Sequence, residues 1–237
     1  MARPSWCCAT TATPPAPRCW PATAGIGRCT ADRYVDDSID VLSRNAPDLE
    51  NALHHSRRDS ARVILDGTLF DSDRCAERKP DDDSVDLWYS GHKHRHGGNV
   101  QFIADADGEP VWVSAAEPGP VFDITAARLH ALPLLPRAAQ NGLVVLADLG
   151  YEGAGAAACT CPSIASDTSH ENASAPITPI TRPANLALRS MRSIGERAMT
   201  LLVERWRLLR HTTKRPTRID ELVKAALALH KFEKQTR

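Results

Sequence analysis

Two short apolar runs, each cut off by an aspartate, restrict the folds open to this chain more than any other feature. The first is Val63-Ile64-Leu65-Asp66 in "SARVILDGTLF"; the second is the run ending in Ala147-Asp148 in "NGLVVLADLGY". A continuous apolar run of this length suits a central strand buried on both faces, and such a strand needs helices to cover its sheet. Asp66 has no basic neighbour between residues 63 and 70. Desolvating an unpaired carboxylate is expensive, so Asp66 must pair, stand exposed at a strand end, or hold a cation.

The periodicity of the remaining chain fills in the layout. "GGNVQFIADADGEPVWVSAA" holds two apolar runs around Asp107-Gly108, a hairpin signal. "DITAARLHALPLL" reads as a short helix with Asp123 as its N-cap. Before the first strand, a helix is predicted over 28–45 with Tyr34, Ile39, Val41 and Leu42 on its apolar side, broken before Pro47 and followed by a second short helix. After the last strand, a helix is predicted over 185–210 with Leu186, Met191, Ile194, Ala198, Leu201, Leu202, Leu208 and Leu209 inward. A final amphipathic helix, "TRIDELVKAALALHKF", turns Ile219, Leu222, Val223, Ala226, Leu227 and Leu229 inward. Three antiparallel strands, a crossover helix and a parallel strand make an α/β order, that of the ribonuclease H-like fold: a mixed sheet flanked by helices.

Three regions follow from this reading. Residues 1–24 are rich in Ala, Pro, Thr and Cys without period, and are expected to be disordered. Residues 25–58 form a partial helical region, and 59–237 the main domain, interrupted at 154–184 by a polar, Pro-rich, irregular insert. Formal net charge is zero, so contact with nucleic acid must rest on local basic patches. Seven cysteines without a Cys-x-x-Cys pair indicate neither a disulfide framework nor a zinc knuckle, and point to reduced thiols in a cytoplasm. The N-terminus lacks the apolar stretch of a signal peptide, and no run reaches the length of a membrane span, so no membrane partner is expected.

Asp66 ends the first strand and Asp148 the strand reached by the crossover; if those strands are neighbours, both side chains emerge at one edge, where ligands in open α/β sheets collect. Glu196 lies midway along the long helix, which can pack across that edge. Three converging acids repel one another unless a cation joins them; two Mg²⁺ (or Mn²⁺) ions would resolve this, polarising a phosphodiester and activating the attacking water. Arg189, Arg192, Glu196, Met199 and Val203 share one helix face, so Arg192 could hold the phosphate one turn from the acid. Taken singly, Arg192–Glu196 is more often a surface ion pair, and a strand-end Asp more often a turn cap. The combination on this strand order carries the argument.

The blocks "ILDGT", "YSGHKHRHGGNVQFIADADGEPVWVSAAEPGPVFDITAAR", "VVLADLGYEGAG" and "RSMRSIGERAMTLLVERWRLLR" resemble a DDE transposase of bacterial insertion sequences, of the type related to Harbinger elements. The resemblance covers residues 25–155 and 185–232. It implies a ribonuclease H-like endonuclease that cuts transposon-end DNA and joins the free 3′-hydroxyl to target DNA, with Asp66, Asp148 (in Asp-x-Gly-Tyr) and Glu196 as its three acids. Asp123 matches a position the family tends to keep acidic, and is a further candidate ligand ranked below Asp148. The partners implied are terminal inverted repeats and target DNA, with homo-oligomers assembled on DNA, in the cytoplasm at the nucleoid. Expected DNA contacts are Arg28 and Arg33 on the first helix, which resembles the recognition helix of a helix-turn-helix. Lys93, Arg95, Arg189, Arg192, Arg205, Arg207, Arg210 and Lys214 complete the set; nine basic residues lie between 189 and 218 against Glu196 and Glu204.

The sequence also departs from the family. Arg189 stands where the family has a Tyr, and Val203 where it has a Lys that contacts the DNA end. The helix expected before residue 28 is replaced by "TPPAPRCWPATA", and 154–184 keeps Pro162 but no strand pattern. Both stretches read as out-of-frame translation of a degenerate copy, which translating the underlying DNA in its other frames tests. An inactive DNA-binding remnant is therefore the alternative reading. A second, weaker one is a zinc hydrolase, since His92, His94 and His96 would share one side of an extended chain. The acids at 81–83, with Asp105 and Asp107, read as solvated loop.

Overall fold

The run Val63–Leu65 becomes the interior of strand β1 (Arg62–Asp71), which has a neighbour on each side. The computed structural model describes residues 25–80, 82–151, 153–154 and 181–236, with side chains for all of these except 149 and 181–192. β1 runs antiparallel to β5 (Arg95–Asp105), from Val63 opposite Asp105 to Asp71 opposite Gly97. β5 turns through Asp107-Gly108 into antiparallel β6 (Pro110–Pro118), as the turn residues predict. On its other side β1 pairs in parallel with β7 (Val144–Ala147), Leu65 lying opposite Ala147. The short β4 (Tyr89–Ser90) joins the start of β5, while β2 (Arg78–Lys79) and β3 (Asp82–Asp86) form a separate two-stranded sheet.

Strand residues point alternately to the two faces, so parity sorts the core. Ile64 and Phe70 share one face with Val100, Phe102 and Ala104. That face is covered by α1 (Arg28–Arg44), α5 (Thr181–Arg205) and α6 (Ile219–Gln235), through Ile39, Ala198, Leu202, Val223 and Leu227 among others. Val63 and Leu65 share the opposite face with Ile103, Val145 and Ala147. It is covered by α2 (Leu49–Asp59), α3 (Asp123–His130) and α4 (Leu135–Gln140), and by Tyr151 of the 3-10 turn Leu149–Tyr151. The result is a mixed sheet with helices on both faces.

Several expectations need correction. β7 is four residues long and, among the described residues, an edge strand rather than a central one, with Val144 exposed. α3 begins at Asp123 itself and Phe122 occupies the cap position, because the Asp123 carboxylate is engaged elsewhere. On α1 the buried side is Val35, Ile39 and Leu42, leaving Tyr34 and Val41 in solvent. The long helix starts at Thr181 and stops at Arg205, so residues 181–184 belong to it and not to an irregular insert; Leu208, beyond its end, is exposed. Asp82 and Asp83 lie in β3 rather than in a loop. The expectations for residues 1–24 and 155–180 lie outside the described residues. Among the described residues no helix is long and apolar enough to cross a membrane.

Candidate active site

Parity also places the acids. Asp66 follows Leu65 and shares its face with Ile64, the face that α5 covers. Asp148 follows Ala147 at the end of β7, and continuing the parallel register sets it level with Asp66. Leu146, two residues earlier and inside β7, packs into the core on the α5 side, and Asp148 lies one residue past the strand's end. The contacts of a glycine on α5 fix where this helix crosses. A Cβ on Gly195 would stand 3.3 Å from Asp66 Oδ2 and 3.5 Å from Ile64 Cγ2. The helix thus lies against the Asp66 carboxylate at the residue next to Glu196. Ala198, Met199 and Leu202 bury the inner side of α5, and Glu196 is exposed at its margin.

Asp66 is half-buried and its Oδ1 accepts a hydrogen bond from Gly67 N at 2.8 Å. Asp148 is exposed, and each of the three acids engages a further group of the protein. Among the described residues no three His, Cys, Asp or Glu side chains stand close enough together to hold a metal ion as they are. The donor set nevertheless fits a hard divalent cation in its chemistry, three carboxylates. Asp66 lies midway along β1, not at its end as the apolar run suggests, and is next to the last residue paired with β7; Asp148 follows the end of β7, and Glu196 is on the helix that crosses Asp66.

Asp123 is placed on the other side of β1. A Cβ on Gly67 would run into the Asp123 carboxylate and the Gln101 amide, and Gly67 points opposite to Asp66. Asp123 Oδ1 accepts from Asn99 Nδ2 at 2.8 Å and from Gln101 Nε2 at 3.3 Å. Gln101 Nε2 also donates to Asn99 Oδ1, and Tyr151 Oη donates to Gln101 Oε1 at 2.6 Å. Gln101 and Tyr151 are fully buried, so this network ties α3 and the turn after Asp148 to the centre of the sheet. Sequence reasoning missed it. Its signal was Asn99 and Gln101, two amides on one side of an otherwise apolar strand.

The three histidines do not share a side. Gly91–His94 form a turn in which His94 takes φ 54°, and His96 Nε2 lies 3.2 Å from Asp86 Oδ2. Hydrogen bonds from Arg74 and His96 outweigh desolvation and hold the Asp86 carboxyl below its usual range, with Arg78 adding to the effect. His96 is thus oriented by an ion-paired carboxylate, and the alternating-histidine site of a zinc hydrolase is not formed.

The expected DNA contacts divide. Lys93, Arg33 and Arg207 are exposed. Arg95 pairs with Asp71 at 2.7 Å, Arg205 with Glu233 at 2.7 Å and Lys214 with Asp36 at 2.7 Å, while Arg28 stands 4.0 Å from Asp32. Arg210 donates to the carbonyls of Val203 and Glu204. Arg205 therefore ties α5 to α6, and Lys214 ties the segment after α5 to α1. The side chains of Arg189 and Arg192 lie outside the described residues.

A family model described as a DDE superfamily endonuclease matches residues 65–231, well over half of the chain. No curated protein matches, and no solved structure does. The family match sets the class as a nuclease of the transposase kind, acting on DNA with divalent metal ions. It spans Asp66, Asp148 and Glu196 together with the crossing of β1, β7 and α5. The chain belongs to the DDE superfamily endonuclease family.

Proposed function

We propose that this protein is a transposase of the bacterial insertion-sequence type related to Harbinger elements, with a ribonuclease H-like catalytic domain. It would cut transposon-end DNA and join the released 3′-hydroxyl to target DNA. One observation carries the reading: β1 and β7 pair in parallel so that Asp66, inside β1, and Asp148, just past the end of β7, fall at one level, and α5 lays Gly195, the neighbour of Glu196, against the Asp66 carboxylate. Two divalent cations held by Asp66, Asp148 and Glu196 would supply charge at the phosphodiester and lower the pKa of the attacking water. The chain's own part is positional. β1 and β7 fix two carboxylates at one level, and the Gly67 amide orients Asp66. The buried Tyr151–Gln101 bond anchors the turn after Asp148. Arg189, Arg192, Arg207 and Lys93 would contact phosphates, and copies of the chain would assemble on the terminal repeats.

The inactive DNA-binding remnant remains a second reading because the three acids do not stand at ligand distance in the described structure. Incubation with DNA carrying the inverted repeats that flank the gene separates the two. Mg²⁺-dependent nicking at the repeat ends, lowered on the order of a thousandfold by Asp66→Asn or Asp148→Asn, supports the transposase. Folded protein that binds this DNA without nicking it supports the remnant.

A further inference from the structure

On the sheet face opposite the Asp66 carboxylate lies a cleft of about 460 Å³. One wall is the turn carrying His92 and Lys93 with Arg95 at the start of β5, and the other is the loop Gly119–Phe122; Gly67, Asn99 and Asp123 line the cleft between them. Phe122 is 74% exposed, the most of any large apolar side chain among the described residues. Its loop is nevertheless held firmly. A Cβ on Gly119 would come within 2.9 Å of Gly97 O and 3.0 Å of Trp88 O, and Asn99 Nδ2 donates to Val121 O at 2.9 Å. An aromatic ring kept in solvent by an anchored loop is pre-organised for a flat partner.

The opposite wall selects the partner. His92 and Lys93 are exposed, and Arg95 can exchange its pair with Asp71 for a phosphate. The Asp123 carboxylate is already engaged by the two buried amides, which reduces its repulsion of an anion. A base-sized space with a free aromatic face on one side and cations on the other matches an unpaired nucleotide. The cleft begins at Gly67, next to Asp66, and reaches Asp71, roughly 13 Å along the strand at 3.3 Å per residue.

We infer that this cleft takes an unpaired nucleotide of the substrate DNA, its base stacked on Phe122 and its backbone phosphate held by Lys93 and Arg95. The inference rests on the DNA substrate of the proposed function, but its test needs no cleavage. Anisotropy of a short fluorescein-labelled oligothymidine, read with EDTA present against a duplex of equal length, isolates binding. Phe122→Ala and Phe122→Leu should each weaken oligothymidine binding about tenfold, Phe122→Trp should retain it, and duplex affinity should change little. Lys93→Ala should lower the salt slope by about one. Equal affinity across the Phe122 series, or no binding by the parent protein, would overturn the inference. So would a self-association lost in Phe122→Ala with oligothymidine affinity unchanged, which would assign the ring to a second copy. None of these outcomes depends on Mg²⁺-dependent nicking, so the two readings fail separately.

Discussion

Gly195 is the residue on which the candidate site turns, although it carries no chemistry of its own. In a helix interior glycine is disfavoured against alanine by about 1 kcal/mol. Here its lack of a Cβ lets α5 settle onto Asp66, where an added methyl would stand 3.3 Å from Oδ2. Gly195→Ala should therefore leave thermal stability unchanged or slightly raised while lowering Mg²⁺-dependent nicking roughly tenfold or more, because the carboxylate must shift. Melting curves and nicking rates on the same preparation check both halves; equal activity would show that the contact is only packing. Asp66 and Asp148 were legible in the sequence because an acid closing an apolar run has few inexpensive environments. Gly195 was not legible, since its role depends on where a helix crosses a strand far away in the chain. The Tyr151–Gln101 bond was hidden for the same reason, its partners lying fifty positions apart.

At the scale of elements, the β5–β6 hairpin is tied to α6 by Glu109, which pairs with His230 at 2.7 Å and with Lys234 at 2.7 Å. Burial pushes the Glu109 carboxyl up, but the hydrogen bonds and charges of Lys234 and His230 together leave it below its ordinary value. A carboxyl depressed on folding adds stability that is fully present above the unfolded-state pKa. That stability is lost as pH falls through the lower folded-state value. Glu109→Gln should lower unfolding free energy by roughly 1 kcal/mol at neutral pH, and flatten the loss of stability below about pH 4.3. Urea denaturation at several pH values measures this; parallel pH profiles for the two proteins would contradict it. The hairpin itself was read correctly from Asp107-Gly108, because turn chemistry is local. The capping role of Asp123 was misread, since two amides of β5 capture the carboxylate that would otherwise cap α3. β7 was taken for a central strand because an apolar run reports burial but not its neighbours.

For the molecule as a whole, one sheet covered by helices on both faces presents two candidate surfaces. The face under α1, α5 and α6 carries Asp66, beside the helix that bears Glu196; the face under α2, α3 and α4 carries the aromatic and basic cleft. The order of the long strands and helices was legible from period changes along the chain, whereas the short β2, β3 and β4 and the separate helix α4 were not. The engagement of Arg205 and Lys214 with Glu233 and Asp36 was not, because a basic stripe looks the same whether it faces solvent or neighbouring helices. The central claim is that the three acids act as one cation site, and Mn²⁺ binding followed by electron paramagnetic resonance tests it most directly. Ions bound per folded chain should be displaced by Mg²⁺, lost in Asp66→Asn and in Asp148→Asn, and weakened in Glu196→Gln. Mn²⁺ binding that is absent, or identical in the parent and all three variants, would contradict the account.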